Sequence, residues 1–180
     1  MRRSALLGTG ALALAIAGCG GTHHKATTPS KLARAQATHE YPSPPPRPQT
    51  ATGATSTPAQ AVRAFATAYI NWTAQTVAGD MESLAARSVG QARSGMTLAA
   101  AQTADDYELR RGRIANHGTV EAVAHLLRKP DQYVVITLES TSATNTTAYQ
   151  GVKPAWHVAL ATTTDLPGAG WVVSAWQPEN

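Results

Sequence analysis

The sequence predicts an α+β domain in which N-terminal helices pack on one face of a curved antiparallel sheet of about four strands. Three observations predict it. Apolar residues recur at helical spacing from residue 58 to about 113, and the period then changes to two. Turn chemistry separates the alternating segments, at Lys129-Pro130-Asp131 and at Leu166-Pro-Gly-Ala-Gly170. All four Trp lie beyond residue 70, so the large apolar side chains that fill a core are confined to the C-terminal two-thirds.

The chain divides into residues 1–18, 19–57 and 58–180. Met1-Arg2-Arg3 is a short positive region, followed from Ala5 to Gly18 by fourteen small or apolar residues without a charge. That stretch is shorter than the roughly 20 residues of a spanning helix and has the length of a signal-peptide core. It ends in Ile16-Ala17-Gly18-Cys19, and Cys19 is the single cysteine of the chain, so no internal disulfide is available. These four residues resemble the bacterial lipobox. The resemblance implies a lipoprotein: a diacylglyceryl group on the Cys19 sulfur, fatty acyl chains such as palmitate, and cleavage that leaves Cys19 first. It also implies a cell-membrane location on the extracytoplasmic face. Two or more acyl chains hold a protein stably at a bilayer, where one binds marginally. An ordinary secretory signal with an accidental cysteine is the alternative.

Residues 20–57 hold almost no large apolar side chain, Leu32 and Tyr41 standing alone, and carry the proline run from Tyr41 to Pro48. Such a segment buries too little surface to offset its ordering entropy, so a disordered tether is expected, locally stiff as polyproline II. Its r.m.s. reach is roughly 35 Å, and about 125 Å fully extended. His23-His24 lack a third metal ligand, and Pro44-Pro45-Pro46 read as a spacer.

Charge follows the same division. The net charge of +4 is made of +2 in residues 1–18, +3 in 19–57 and −1 in 58–180. A near-neutral domain without a basic face gives no footing for nucleic acid.

In the domain, Thr57 as N-cap and Pro58 at the first position start a helix. Val62, Phe65, Ala66, Tyr69 and Thr73 form its apolar face, extended by Trp72. Gly79 reads as a C′ residue and Asp80 as the cap of a second helix, Met81 to about Ala92, burying Met81, Leu84, Ala85 and Val89. A third helical stretch runs from Met96 to about Arg113, with Leu98, Ala101 and Tyr107 toward the core.

The strands follow. His117 to Leu127 and Gln132 to Ser140 form a hairpin around Lys129-Pro130-Asp131; in the second, Val134, Ile136 and Leu138 oppose Tyr133, Val135, Thr137 and Glu139. Ala155 to Thr163 sets Trp156, Val158 and Leu160 together, and Gly170 to Gln177 supplies the last strand. Trp171 and Trp176 are five apart, so an unbroken strand sends them to opposite faces, only one of them toward the helices.

Three segments carry a wider resemblance. The first helix reads Ala61-Val62-Arg63-Ala64-Phe65-Ala66-Thr67-Ala68-Tyr69. The turn after it reads Gly79-Asp80-Met81-Glu82-Ser83-Leu84, and the closing hairpin pairs Trp156–Leu160 with Trp171–Trp176. Together they resemble the cone fold of nuclear transport factor 2-like and SnoaL-like proteins. The resemblance implies a cone interior that hosts an enzyme, a binder or a scaffold. In isomerase-like members a carboxylate or His moves a proton while a Tyr or protonated acid polarises a carbonyl.

Tyr69, Tyr107, His125, His157 and Glu139 are the residues that could serve such chemistry, and Trp171 and Trp176 join them as a candidate ligand or partner surface. No nucleophile elbow, phosphate loop or metal-ligand spacing is present, and no cofactor or metal is expected. Arg110-Arg111-Gly-Arg113 is the one basic cluster, suited to a helix C-terminus. The expected function is a membrane-anchored binding or accessory domain for an unknown protein or small-molecule ligand. An isomerase- or cyclase-like enzyme and a secretion-apparatus assembly subunit are the alternatives. A filled cone removes the enzyme; a cavity of several hundred Å³ holding Tyr69 or His157 beside an acid restores it. The assembly subunit requires an apolar patch on the outer sheet face.

Overall fold

The computed structural model describes residues 48–179. The signal segment, Cys19 and most of the tether lie outside the described residues. Among those described, no helix is long and apolar enough to cross a membrane.

Helix α1 spans Pro58–Ile70. Thr57 is extended, and its hydroxyl accepts the Gln60 N–H at 3.3 Å, satisfying one of the free amides of the first turn. The buried face is Ala61, Val62, Phe65, Ala66 and Ile70. The helix does not continue to Trp72 and Thr73 as the apolar stripe suggested. Asn71 is extended, and its amide exchanges hydrogen bonds with the Gly118 backbone, donating to the carbonyl and accepting from the N–H, both at 3.1 Å. That exchange directs Trp72–Thr73 into a short strand, β1, paired with Asn116 and Ala115.

The next helices are α2 (Val77–Ala86), α3 (Gly90–Ala104) and α4 (Tyr107–Gly112). Gly79 and Asp80 lie within α2, so neither ends nor caps a helix. The expected helix over 81–92 breaks at 87–89. Val89 is extended and donates its N–H to the Val173 carbonyl at 3.1 Å, while Ser88 is buried and pairs with the same residue. Gly90 then turns the chain at φ +57°, with the Ser174 carbonyl 2.9 Å from where a Cβ would stand. The third expected helix divides at Asp105-Asp106, because the Asp106 carboxylate accepts the Leu109 N–H at 3.0 Å and caps a new helix. This division places Tyr107 at the start of α4, 66% exposed, rather than in the core. Leu98 and Ala101 are also exposed, and Ala92, Met96 and Ala100 form the buried face of α3 instead.

One antiparallel sheet follows the chain order β1-β2-β3-β4-β5. Its long strands are β2 (Ile114–Leu126), β3 (Lys129–Ala143), β4 (Ala155–Leu166) and β5 (Gly170–Glu179). The architecture is α+β, helices on one face of a curved sheet, with β1 as a fifth strand. The β2–β3 turn falls at Leu127-Arg128 rather than at Lys129-Pro130-Asp131, with Arg128 at φ +66°. Lys129 to Asp131 belong to β3 beside a register shift, which accommodates a proline that has no N–H for the ladder.

Two faces were separable from the sequence, and the structure fixes which is inward. Tyr133 and Val135 on β3, Ala159 and Ala161 on β4, and Val173 and Trp176 on β5 pack against α1, α2 and α3. Trp171 and Trp176 do not divide between the faces. A register shift leaves Ser174 without a cross-strand partner between Val173 and Ala175, and that extra residue reverses the alternation. Trp176, 4% exposed, enters the core with ring centroids 5.2 Å from Phe65 and 5.3 Å from Tyr69. Trp171 lines a small cleft of about 80 Å³ with Ala61, Ala64 and Phe65, also on the helix side.

Within the segment expected as tether, Thr52 and Thr55 are tied to the domain. Thr55 and Trp171 exchange backbone N–H···O bonds of 3.0 and 2.9 Å, and the Thr52 N–H donates to Ala86 at 3.0 Å.

Candidate functional site

The inward face of β3 continues past Val135 through Thr137, Glu139 and Thr141, so polar residues follow apolar ones on the same side. Helix α1 ends over them at Tyr69 and Ile70. Between these parts lies an open cavity of about 540 Å³. Tyr69, Trp72, Val77, Met81 and Ala99 form its apolar wall. Asn116, Glu139 and Thr141 form a polar wall, and Val152, Lys153, Ala155 and His157 stand at the side made by β4 and the loop before it.

The polar wall is tightly organised. The Asn116 Nδ2 donates to the Ile70 carbonyl and to Glu139 Oε2, both at 2.8 Å. Thr137 Oγ1 donates to Glu139 Oε1 at 2.6 Å, and Thr141 Oγ1 donates to Asn116 Oδ1 at 3.0 Å. Asn116 and Thr137 are buried. The Asn116 amide thereby replaces the solvent that the last carbonyls of α1 lack, and both Glu139 oxygens are fixed.

Tyr69 is half-buried above this wall. Burial pushes its phenol above the usual value of 10.0; the nearby Trp176 indole N–H acts in the opposite direction, and the negative charge of Glu139 adds a smaller upward push. The Trp176 Nε1 is buried and makes no well-formed hydrogen bond.

Of the residues singled out from sequence, Tyr69, Glu139 and His157 meet at this cavity, and Trp176 packs directly behind Tyr69. The others lie elsewhere. His125 faces Tyr133 across β2 and β3, edge to face with centroids 4.4 Å apart, and its Nε2 hydrogen-bonds to the Tyr133 hydroxyl. Tyr107 sits on α4 beneath the Arg111 guanidinium, and Arg110 pairs with Asp105 at 3.5 Å on the exposed surface. Trp171 belongs to the cleft near Thr55. Sequence reading missed Trp72, Asn116 and Thr141. The signal was there for Asn116: an Asn inside a strand, where that residue is disfavoured, pointing to a polar partner across the sheet.

The outward face is apolar over two strands. Leu138 opposes Trp156, Ile136 opposes Val158 and Val134 opposes Leu160, with Trp156 63% exposed.

Fold and site together define a small α+β domain with an open, ligand-sized cavity between helices and sheet. The chain is similar in structure to the VirB8 protein of Agrobacterium tumefaciens, with 16% identity, 71% of this chain and 96% of that chain covered, and a TM-score of 0.44. No family model matches the sequence, and no curated relative does.

Proposed function

We propose that the chain is a lipid-anchored extracytoplasmic binding protein, held to the membrane through Cys19, whose cavity takes a small and mainly apolar ligand. The cavity carries the reading. At about 540 Å³ it has the size of small-molecule sites, and it joins an apolar wall to a few fixed polar groups.

Binding accounts for this geometry better than catalysis. The cavity, Tyr69, His157 and Glu139 are those an isomerase-like enzyme needs, yet among the described residues no hydrogen bond links Tyr69, Glu139 and His157. His157 is exposed at the rim. Glu139 is clamped by two donors rather than poised to exchange a proton.

Titration calorimetry with 2-phenylethanol tests the cavity. Saturable binding is expected, and Ala99→Trp, which fills the space from α3, abolishes it; binding that survives this change places the ligand elsewhere. Detergent phase partition tests the anchor. The native chain enters the detergent phase and Cys19→Ser the aqueous phase; a native chain with a bare thiol in the aqueous phase removes the anchor and leaves the cavity reading intact.

The outer face supports a second reading, assembly with protein partners, because Trp156 and Val158 are exposed within an apolar strip. Sedimentation tests it: self-association that Trp156→Lys dissolves supports assembly, and a strictly monomeric chain opposes it.

A further inference from the structure

We propose that the cavity selects an organic cation, a protonated amine carried on a compact apolar body. This rests on the cavity being a ligand site and adds the chemical class of the ligand.

Hydrogen-bond inventory gives the direction. Asn116 spends its amide donors on Ile70 and Glu139, Thr137 spends its hydroxyl proton on Glu139, and Thr141 spends its own on Asn116. The wall's donors are thus consumed within the wall. What remains toward the cavity is acceptor capacity, on the Glu139 carboxylate and on Thr141 Oγ1, together with the Tyr69 hydroxyl, which both donates and accepts. An ammonium has three donors and no acceptor, so it matches such a wall; a carboxylate ligand offers only more acceptors.

Charge points the same way. Glu139 is bound by neutral groups alone, and among the described residues the one ion pair is Arg110–Asp105, away from the cavity. The negative charge of Glu139 thus has no ion-pair partner among the described residues and lines the open cavity. Lys153 and His157 also line the cavity, but both are exposed to solvent and neither bridges to Glu139. Tyr69 and Trp72 add aromatic surface, whose faces attract cations, while Val77 and Met81 receive the apolar body.

The experiment compares three probes of one size and three charges on the purified full chain: 2-phenylethylamine, 2-phenylethanol and phenylacetate, by titration calorimetry. The amine is expected to bind about tenfold or more tighter than the alcohol, with phenylacetate weakest. In Glu139→Gln the ratio of amine to alcohol affinity falls to about one, whatever the alcohol's own affinity becomes. Equal affinities, a preference for phenylacetate, or an amine preference unchanged in Glu139→Gln each overturn the cation inference while leaving the cavity as a site. Absence of binding by all three overturns both. Should Glu139→Gln not fold, the ratio of amine to alcohol on the native chain decides alone.

Discussion

Asn116 and Glu139 stand on neighbouring strands, and the Asn116 Nδ2 holds Glu139 Oε2 at 2.8 Å while also donating to the Ile70 carbonyl at 2.8 Å. One amide thus ties the end of α1 to the wall of the cavity, so the position of the carboxylate and the stability of the domain are coupled through it. Replacing Asn116 with Leu leaves the Ile70 carbonyl, one Glu139 oxygen and the Thr141 hydroxyl without their partner. Each loss of a buried partner costs about 1–3 kcal/mol, relieved in part where the cavity admits water. Urea unfolding of Asn116→Leu should show a loss of about 3 kcal/mol. A change below about 1 kcal/mol would mean that the amide does not hold these parts together.

Gly118 lies opposite Glu139 in the sheet, and the space above it is already occupied. A Cβ there would stand 2.8 Å from the Leu138 carbonyl and 3.0 Å from both Glu139 Cγ and Ile70 Cδ1. The carbonyl belongs to the paired strand and cannot swing aside, so a methyl must displace the strand or the glutamate. Gly118→Ala should cost about 2 kcal/mol, within the range of overpacked sites, and should weaken ligand binding together with stability. Full stability in a thermal melt would show that β2 and β3 separate here at little cost.

How far the sequence reached depends on what the residues were responding to. The start of α1 was legible because Thr57 and Pro58 act on their own neighbours, and four of the five strands were legible from alternation. The failures share a cause, which is partners remote in sequence. Gly79 and Asp80 look like a helix boundary, but the first helix already ends at Ile70 and the next runs on past them to Ala86, where β5 draws Ser88 and Val89 to it. Trp72 fits the apolar stripe of α1, yet Asn71 bonds to Gly118 and turns it into a strand. Parity placed Trp171 and Trp176 on opposite faces until Ser174 interrupted the count. Of the candidate site, Tyr69, Glu139 and His157 were named from residue type, and the network that fixes Glu139 arose only when β2 met β3.

Burial separates two leucines that local sequence treats alike. Leu84, on α2, is 2% exposed and lies in the core with Phe65, whereas Leu98, on α3, is 58% exposed. Leu84→Ala should destabilise by about 2–5 kcal/mol through lost transfer energy and the void left behind. Leu98→Ala should stay within about 0.5 kcal/mol. Chemical denaturation of the two variants side by side checks the inward face of the helices, and comparable losses at both positions would contradict it.

The Tyr69 phenol offers the test of how dry the cavity wall is. Its proton is held above the usual value of 10.0, chiefly by burial, with Trp176 opposing and Glu139 assisting. In the unfolded chain Tyr69 titrates near 10, so in the window above that value the unfolded state binds fewer protons than the folded one. Stability from this group is therefore complete below about pH 10 and is lost as pH rises through the folded-state value. Tyr69→Phe removes the titrating group and with it this loss. Denaturation measured at rising pH above 10 should show native stability falling more steeply than that of Tyr69→Phe. Burial also raises the Tyr133 phenol, so ultraviolet titration of the folded chain should show two late-ionising tyrosines, of which the variant keeps only one. If the native chain and Tyr69→Phe show the same number of late-ionising tyrosines, water reaches the Tyr69 phenol freely, and the polar wall then stands in a wetter cavity than its burial indicates.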